Sequence, residues 1–114
     1  MKGSILFVED EEAILRNTRH YFERKGYLVI AYNNGKGVVD DLSNKLRYDI
    51  AVIDLSLPII DGEQVITLCK KLHPEIPVIS ASGYEYKLGN SDRHMRKPFS
   101  LQALEAAVNE LIGM

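Results

Sequence analysis

Residues 49–62, with the sequence DIAVIDLSLPIIDG, decide the fold of this chain. The uninterrupted apolar run Ile50–Ile53 is typical of a strand that is buried on both faces of a parallel sheet. The run stops at Asp54, and Pro58 together with Asp61-Gly62 marks the loop that follows. An acid that ends the most apolar strand is hard to explain by stability alone, because burying a charge is costly. We therefore expect Asp54 at the edge of a sheet, in a chemically active site.

Strand-like and helix-like patterns alternate along the whole chain. The predicted strands are Ser4–Val8, Tyr27–Tyr32, Asp49–Asp54, Ile76–Ala81 and Arg93–Arg96. Apolar stripes at helical spacing separate the first four strands, and a last helix follows the N-capping Ser100. This alternation implies parallel strands with right-handed crossovers. We predict an α/β, flavodoxin-like, doubly wound sheet of five parallel strands in the order 2-1-3-4-5.

The connection before the fifth strand is short. Only residues 83–96 lie between Ser82 and Lys97, and the strand itself takes several of them. A parallel crossover needs about a dozen residues including its helix. The fourth helix is therefore predicted to be irregular, or reduced to about one turn within Tyr84–Leu88.

Length and composition restrict the kinds of function. The 114 residues predict one domain, residues 1–114. The net charge is -2 and no basic patch stands out, so nucleic-acid binding by this domain has no support. No apolar run approaches the roughly 20 residues of a membrane span. The single cysteine, Cys69, excludes an internal disulfide and is predicted to be a buried hydrophobe. These features fit a reducing compartment, and we expect a cytoplasmic location.

Polar clusters follow four of the predicted strands. Glu9-Asp10 follows the first strand, Asp54 ends the third, Ser82 follows the fourth and Lys97 follows the fifth. In the predicted order these strands are neighbours, and open α/β sheets bind ligands beyond the carboxyl ends of their strands. Acids ahead of the first helix also have a purely structural explanation, since they stabilise its positive end. Their convergence with Asp54 favours a site for a divalent cation and a phosphoryl group.

The residue types of this site restrict its chemistry. Oxygen ligands select a hard cation, Mg²⁺ or Mn²⁺, and no cluster of Cys and His indicates zinc. A carboxylate such as Asp54 can attack phosphorus and form an acyl phosphate. The transferred group then needs positive charge and hydrogen-bond donors at its equatorial oxygens, which the cation, Lys97 and Ser82 could supply.

Taken in order, these motifs resemble the receiver domain of response regulators in two-component signalling. The resemblance covers essentially the full chain. It rests on Glu9-Asp10, Asp54 with Pro58 and Asp61-Gly62, Pro77-Val78-Ile79 leading to Ser82-Gly83, and Lys97-Pro98-Phe99. It implies a phosphorylation-dependent switch that accepts a phosphoryl group on Asp54 from a sensor histidine kinase or phosphotransfer protein. The downstream partner is not indicated.

The resemblance also implies a role for each site residue. Asp10 would bind Mg²⁺ directly, together with Asp54 and the backbone carbonyl of Ser56, and Glu9 would act mainly through water. Ser82 and Lys97 would hold the phosphoryl oxygens. The domain would catalyse only its own phosphorylation and dephosphorylation, so it is not expected to be a turnover enzyme.

One position departs from the family pattern. The family usually has Tyr or Phe three residues before the lysine, with a side chain that moves on phosphorylation. Here that residue is His94. Two interpretations stay open: a histidine that turns inward as part of the switch and adds pH sensitivity, or a partly exposed residue of an edge strand.

Two other functions remain as alternatives. The first is a receiver-like protein-interaction module that is not phosphorylated, against which the complete set of acids, Asp54 and Lys97 argues. The second is a Mg²⁺-dependent phosphatase with an aspartyl nucleophile. Such enzymes commonly carry a second acid two residues after the nucleophile, and that position is Ser56 here.

Overall fold

The computed structural model describes residues 2–84 and 89–113. Its centre is one parallel sheet of five strands in the order β2-β1-β3-β4-β5, as predicted. The strands are β1 (Ser4–Val8), β2 (Leu28–Tyr32), β3 (Ile50–Asp54), β4 (Val78–Ser82) and β5 (Arg93–Arg96). The predicted α/β class and strand order are confirmed.

Four helices are present in the described ranges. They are α1 (Glu12–Arg24), α2 (Gly35–Leu42), α3 (Gly62–Leu72) and α4 (Leu101–Leu111). Three of them begin at a side chain that accepts a backbone N–H of the first turn, from Asn34, Asp61 or Ser100. None of the helices described is both long enough and apolar enough to cross a membrane.

The core has two layers, one on each face of the sheet. Every residue of β3 is buried, as expected for a central parallel strand. Helices α2 and α3 cover one face, where the free thiol of Cys69 is 1% exposed. Helices α1 and α4 cover the other face, around Phe22 and Leu104. The site residues at the strand ends are therefore attached to strands that are packed on both faces.

Ten residues, 83–92, connect β4 to β5. Three helical turns would need about 11 residues, so a regular helix of that length does not fit. Residues 83, 84 and 89–92 are not helical, and residues 85–88 of the predicted turn lie outside the described ranges. The end of the connection is held to α3, because the carboxylate of Asp92 accepts the N–H of Val78 at 2.8 Å and lies 2.6 Å from the ammonium of Lys70.

The fourth strand is shifted relative to its predicted range, Ile76–Ala81. It pairs with β3 from Val78 onward and with β5 as far as Ser82 opposite Arg96. Pairing with the fifth strand extends the ladder by this one residue, and the carbonyl of Ser82 also accepts the N–H of Lys97 at 2.7 Å. Ser82 therefore lies inside β4, next to the lysine.

Candidate functional site

A lysine lies between two buried carboxylates at the carboxyl edge of the sheet. The Nζ atom of Lys97 is 2.6 Å from Oε1 of Glu9 and 3.3 Å from Oδ2 of Asp54. The carboxylate side chains are only 2% and 5% exposed, whereas that of Lys97 is 22% exposed. Glu9 follows β1, Asp54 ends β3 and Lys97 follows β5, so three separate segments meet at one point.

The backbone after β3 orients the carboxylate of Asp54. Its Oδ1 atom accepts the N–H of Ser56 at 3.0 Å, while its Oδ2 atom faces Lys97. The loop then returns to its own start, because the N–H of Gly62 donates to the carbonyl of Leu55 at 3.3 Å. A Cβ at Gly62 would lie 2.2 Å from the carbonyl oxygen of Asp54, so only glycine permits this approach.

Asp10 joins the two buried acids. One carboxylate oxygen from each of Glu9, Asp10 and Asp54 lies within 4.8 Å of the others. This all-oxygen set suits a hard divalent cation, and Mg²⁺ commonly uses one or two carboxylates and keeps several waters. Asp10 is exposed, which leaves such waters access to the cluster. The residues present therefore fit Mg²⁺.

The electrostatics of the cluster follow from its burial. Burial raises the pKa of Glu9 to about 7, and the nearby Asp54 carboxylate adds to the rise against the opposing effects of Lys97 and the Glu11 amide. Burial alone would lower the pKa of Lys97, but its two carboxylate partners outweigh that effect and raise it. Lys97 therefore stays charged, while Glu9 exchanges a proton near neutral pH.

The hydroxyl of Ser82 has different partners from the acids. It donates to the backbone carbonyl of Tyr84 at 2.8 Å and lies 3.0 Å from Nε2 of His94. The backbone bond to Lys97 keeps Ser82 beside the site. The structure thus brings Glu9, Asp10, Asp54 and Lys97 into one cluster and places Ser82 next to it, with its hydroxyl engaged by the fifth strand and the following loop.

His94 is half-buried and turned toward β4. Its Nδ1 atom is 2.8 Å from Oγ of Ser80, and its Nε2 atom is near both Ser82 and the carbonyl of Tyr84, at 3.0 and 3.2 Å. Ser80 in turn lies 2.9 Å from the hydroxyl of Ser91. His94 is thus a partly exposed residue of the edge strand whose ring faces β4, and its role in a switch stays a prediction.

Sequence reasoning did not identify Ser80 and Ser91 as part of this network. Ser80 interrupts the apolar run of β4, and residues two apart in a strand point to the same face, so it shares a face with Ser82. That alternation was a usable signal for Ser80. For Ser91, in an irregular connection, the sequence carries no comparable pattern.

Comparisons with known proteins agree with this architecture. The family profile described as "Response regulator receiver domain" matches residues 5–109. The response regulator SaeR of Staphylococcus aureus is 32% identical over an aligned length of 116, and the alignment covers 95% of this chain and 50% of SaeR. The chain thus spans about half the length of the curated relatives it matches.

Solved structures give the same result. The receiver domain of the Francisella response regulator 1452 superposes with a TM-score of 0.86 at 28% identity, covering 97% of each chain. A CheY-like receiver domain protein from Methanospirillum hungatei superposes at 0.88 with 26% identity, covering 96% of this chain and 93% of that chain. With a profile match over nearly its whole length and with this fold, the chain belongs to the response regulator receiver domain family.

Proposed function

We propose that residues 1–114 form a phosphorylation-dependent signalling switch. Asp54 accepts a phosphoryl group from a sensor histidine kinase or a phosphotransfer protein, in a reaction that depends on Mg²⁺. The observation that supports this most directly is the carboxylate of Asp54, buried at the end of the central strand between the Ser56 amide and Lys97.

The chemistry is a transfer between two protein side chains. A carboxylate oxygen of Asp54 attacks phosphorus, the bond between phosphorus and the histidine nitrogen of the donor breaks, and that nitrogen keeps the electron pair. The charge on the transferred group then requires cations and donors around its oxygens. Lys97 contacts the proposed attacking carboxylate, which supports a role for it in holding one of these oxygens.

The acidic cluster would hold the metal. Asp10, Asp54 and the backbone carbonyl of Ser56 are the proposed direct ligands, with Glu9 acting through water. When bound, Mg²⁺ supplies positive charge that offsets the repulsion between the acids and the phosphoryl oxygens. Because Glu9 already pairs with Lys97 at 2.6 Å, a water-mediated role suits it better than direct ligation.

Ser82 would complete the phosphoryl site, and its hydrogen bonds would change when a phosphoryl group is bound. To donate to a phosphoryl oxygen, its hydroxyl must give up the carbonyl of Tyr84. That movement would also change its contact with His94, so both residues belong to the proposed switch. The altered face would be read by a downstream partner whose identity is not indicated. Catalysis would be limited to the domain's own phosphorylation and dephosphorylation, in a cytoplasmic setting.

Phosphotransfer to the wild type and to Asp54→Asn tests this function. Each would be incubated with acetyl phosphate, and separately with autophosphorylated kinases, in Mg²⁺ or in EDTA. We expect one acid-stable, hydroxylamine-sensitive phosphoryl group on the wild type in Mg²⁺ only, and none on the Asn variant. Asparagine nearly preserves the volume, so circular dichroism should show an unchanged fold.

Absence of any adduct on the wild type in Mg²⁺ would overturn the proposal and favour the non-phosphorylated interaction module. An adduct of equal yield on Asp54→Asn would show that a different residue is the acceptor.

A further inference from the structure

Ile59, in the loop after β3, combines a strained backbone with a side chain that is almost completely exposed to solvent. Ile59 has φ of 66°, and its side chain is 90% exposed. It is the centre of a three-residue turn, because the N–H of Ile60 donates to the carbonyl of Pro58 at 2.7 Å. Turns of this kind with positive φ are rare and strained, most of all for a β-branched residue.

The residues around Ile59 impose this turn. Leu57 is buried and Ile60 packs on the core, so both flanks are fixed. A Cβ at Gly35 would lie 2.5 Å from the carbonyl oxygen of Ile60, which shows how closely α2 approaches the loop there. The fold thus requires a positive φ at position 59, and glycine or asparagine would adopt it with less strain than isoleucine. The choice of isoleucine has no explanation in the packing.

Ile59 lies at the rim of the proposed phosphorylation site. The loop begins at the Ser56 amide, which binds Asp54, and ends at Gly62, which lies against the backbone of Asp54. Gly62 is three positions after Ile59, so their Cα atoms are at most about 11 Å apart. The exposed polar residues Asp10 and Asp61 belong to the same edge, and Pro58 and Ile59 are exposed apolar residues of the same loop.

We propose that Ile59 is an apolar contact for the protein that donates the phosphoryl group, through the domain that carries the phosphohistidine. This rests on the proposed function. The carboxylate of Asp54 is only 5% exposed, so a protein donor must cover the surrounding rim to bring its histidine within reach. Docking would then remove the Ile59 side chain from water, which favours association. A small phosphodonor gains nothing from this contact.

The test compares two phosphodonors on Ile59→Asn. The protein donor is the autophosphorylated catalytic region of a histidine kinase that phosphorylates the wild-type chain, and the small donor is acetyl phosphate. We expect the second-order rate constant for transfer from the kinase to fall about tenfold, the scale of one buried apolar side chain. The rate with acetyl phosphate should stay within about twofold, and thermal stability should rise as the strain is relieved. Ile59→Leu should keep most of the transfer rate.

Two matched variants separate strain from contact. Lys45 is exposed and has φ of 65°, so Lys45→Asn relieves similar strain ahead of β3, at the opposite edge of the sheet. Leu28 is 48% exposed at the start of β2, so Leu28→Asn removes an exposed apolar side chain far from the site. Both should transfer at the wild-type rate.

Transfer from the kinase to Ile59→Asn at the wild-type rate would overturn this inference and leave the proposed function intact. An equal slowing with both donors would also overturn it, since the residue would then act on the chemistry. A wild-type chain that accepts phosphate from neither donor would refute the proposed function itself.

Discussion

The Nε2 atom of His94 lies 3.0 Å from the Oγ atom of Ser82, joining the edge strand to the proposed phosphoryl site. The other ring nitrogen contacts Ser80, which is fully buried. The histidine is therefore held at both nitrogens, and Ser82 is held by the histidine and by the carbonyl of Tyr84. Binding of a phosphoryl oxygen by Ser82 has to compete with these contacts.

Replacing His94 by phenylalanine should remove its contact with the Ser82 hydroxyl and so make it easier for that hydroxyl to bind a phosphoryl oxygen. We expect His94→Phe to be phosphorylated by acetyl phosphate about two- to tenfold faster, because one hydrogen bond of about 0.5–1.5 kcal/mol no longer holds the Ser82 hydroxyl. The rate would be followed by phosphoprotein electrophoresis.

Ser91→Ala is the control for the histidine variant. It removes the bond between Ser91 and Ser80 at the far end of the same network and leaves the contacts of Ser82 in place. Its rate should equal that of the wild type. Equal rates for His94→Phe and the wild type would show that His94 does not restrain Ser82.

Removing the positive charge of Lys97 from the acidic cluster should destabilise the protein. Lys97→Met leaves the 2% and 5% exposed carboxylates of Glu9 and Asp54 without this partner. The free energy of unfolding by urea in EDTA should fall by about 2–4 kcal/mol. Saturating Mg²⁺ should restore part of the loss, because it binds the folded acidic cluster preferentially.

Arg93→Met gives the matched comparison for an exposed ion pair. The partner of Arg93 is Glu110, whose side chain is 67% exposed, so the loss should be below about 1 kcal/mol. Similar losses in the free energy of unfolding for Lys97→Met and Arg93→Met would contradict the view that the buried carboxylates of the cluster need the charge of Lys97.

The raised pKa of Glu9 predicts a specific pH dependence of stability. The folded protein holds this proton up to about pH 7, whereas the unfolded chain releases it near pH 4.5. Between these values the folded state binds more protons, so the free energy of unfolding should decrease as pH rises, by on the order of 3 kcal/mol in total. Below and above this window Glu9 contributes no slope.

Glu9→Gln should remove that part of the slope. Urea unfolding in EDTA at several pH values between 4.5 and 7.5 measures it, and the comparison concerns slopes, because the variant also loses a charged partner of Lys97. Parallel curves for the wild type and the variant would mean that Glu9 titrates normally.

The glycine that begins α3 is predicted to be irreplaceable. At most helical positions Gly→Ala is stabilising. At Gly62 the new Cβ would lie 2.2 Å from the carbonyl oxygen of Asp54 and 2.6 Å from Cα of Leu55, so backbone has to shift. We expect Gly62→Ala to lower the free energy of unfolding by at least about 2 kcal/mol and to slow phosphorylation.

Gly83→Ala serves as the neutral counterpart, since among the described residues, apart from its two chain neighbours, no atom lies within 4 Å of a Cβ placed there. It should change stability by less than about 0.5 kcal/mol. A Gly62→Ala variant as stable as Gly83→Ala would show that the loop relaxes without cost.

Much of the fold followed from local patterns in the sequence. Apolar runs with a polar residue at the end predicted the strands, and the capping residue Ser100 predicted where the last helix begins, whereas the cap at Asp61 was taken only as part of a loop. The short connection after Ser82 was predicted from residue count alone. The boundaries of β4 were not, because they depend on pairing with two neighbouring strands.

The sequence by itself determined the strand order and which residues lie at the carboxyl edge, because parallel strands with right-handed crossovers align their polar ends. Tertiary structure alone decided that Lys97 lies between Glu9 and Asp54, that His94 turns toward Ser80, and that Ile59 takes a left-handed backbone. These features depend on strand register, side-chain rotamers and loop closure, which arise from contacts between segments distant in the chain.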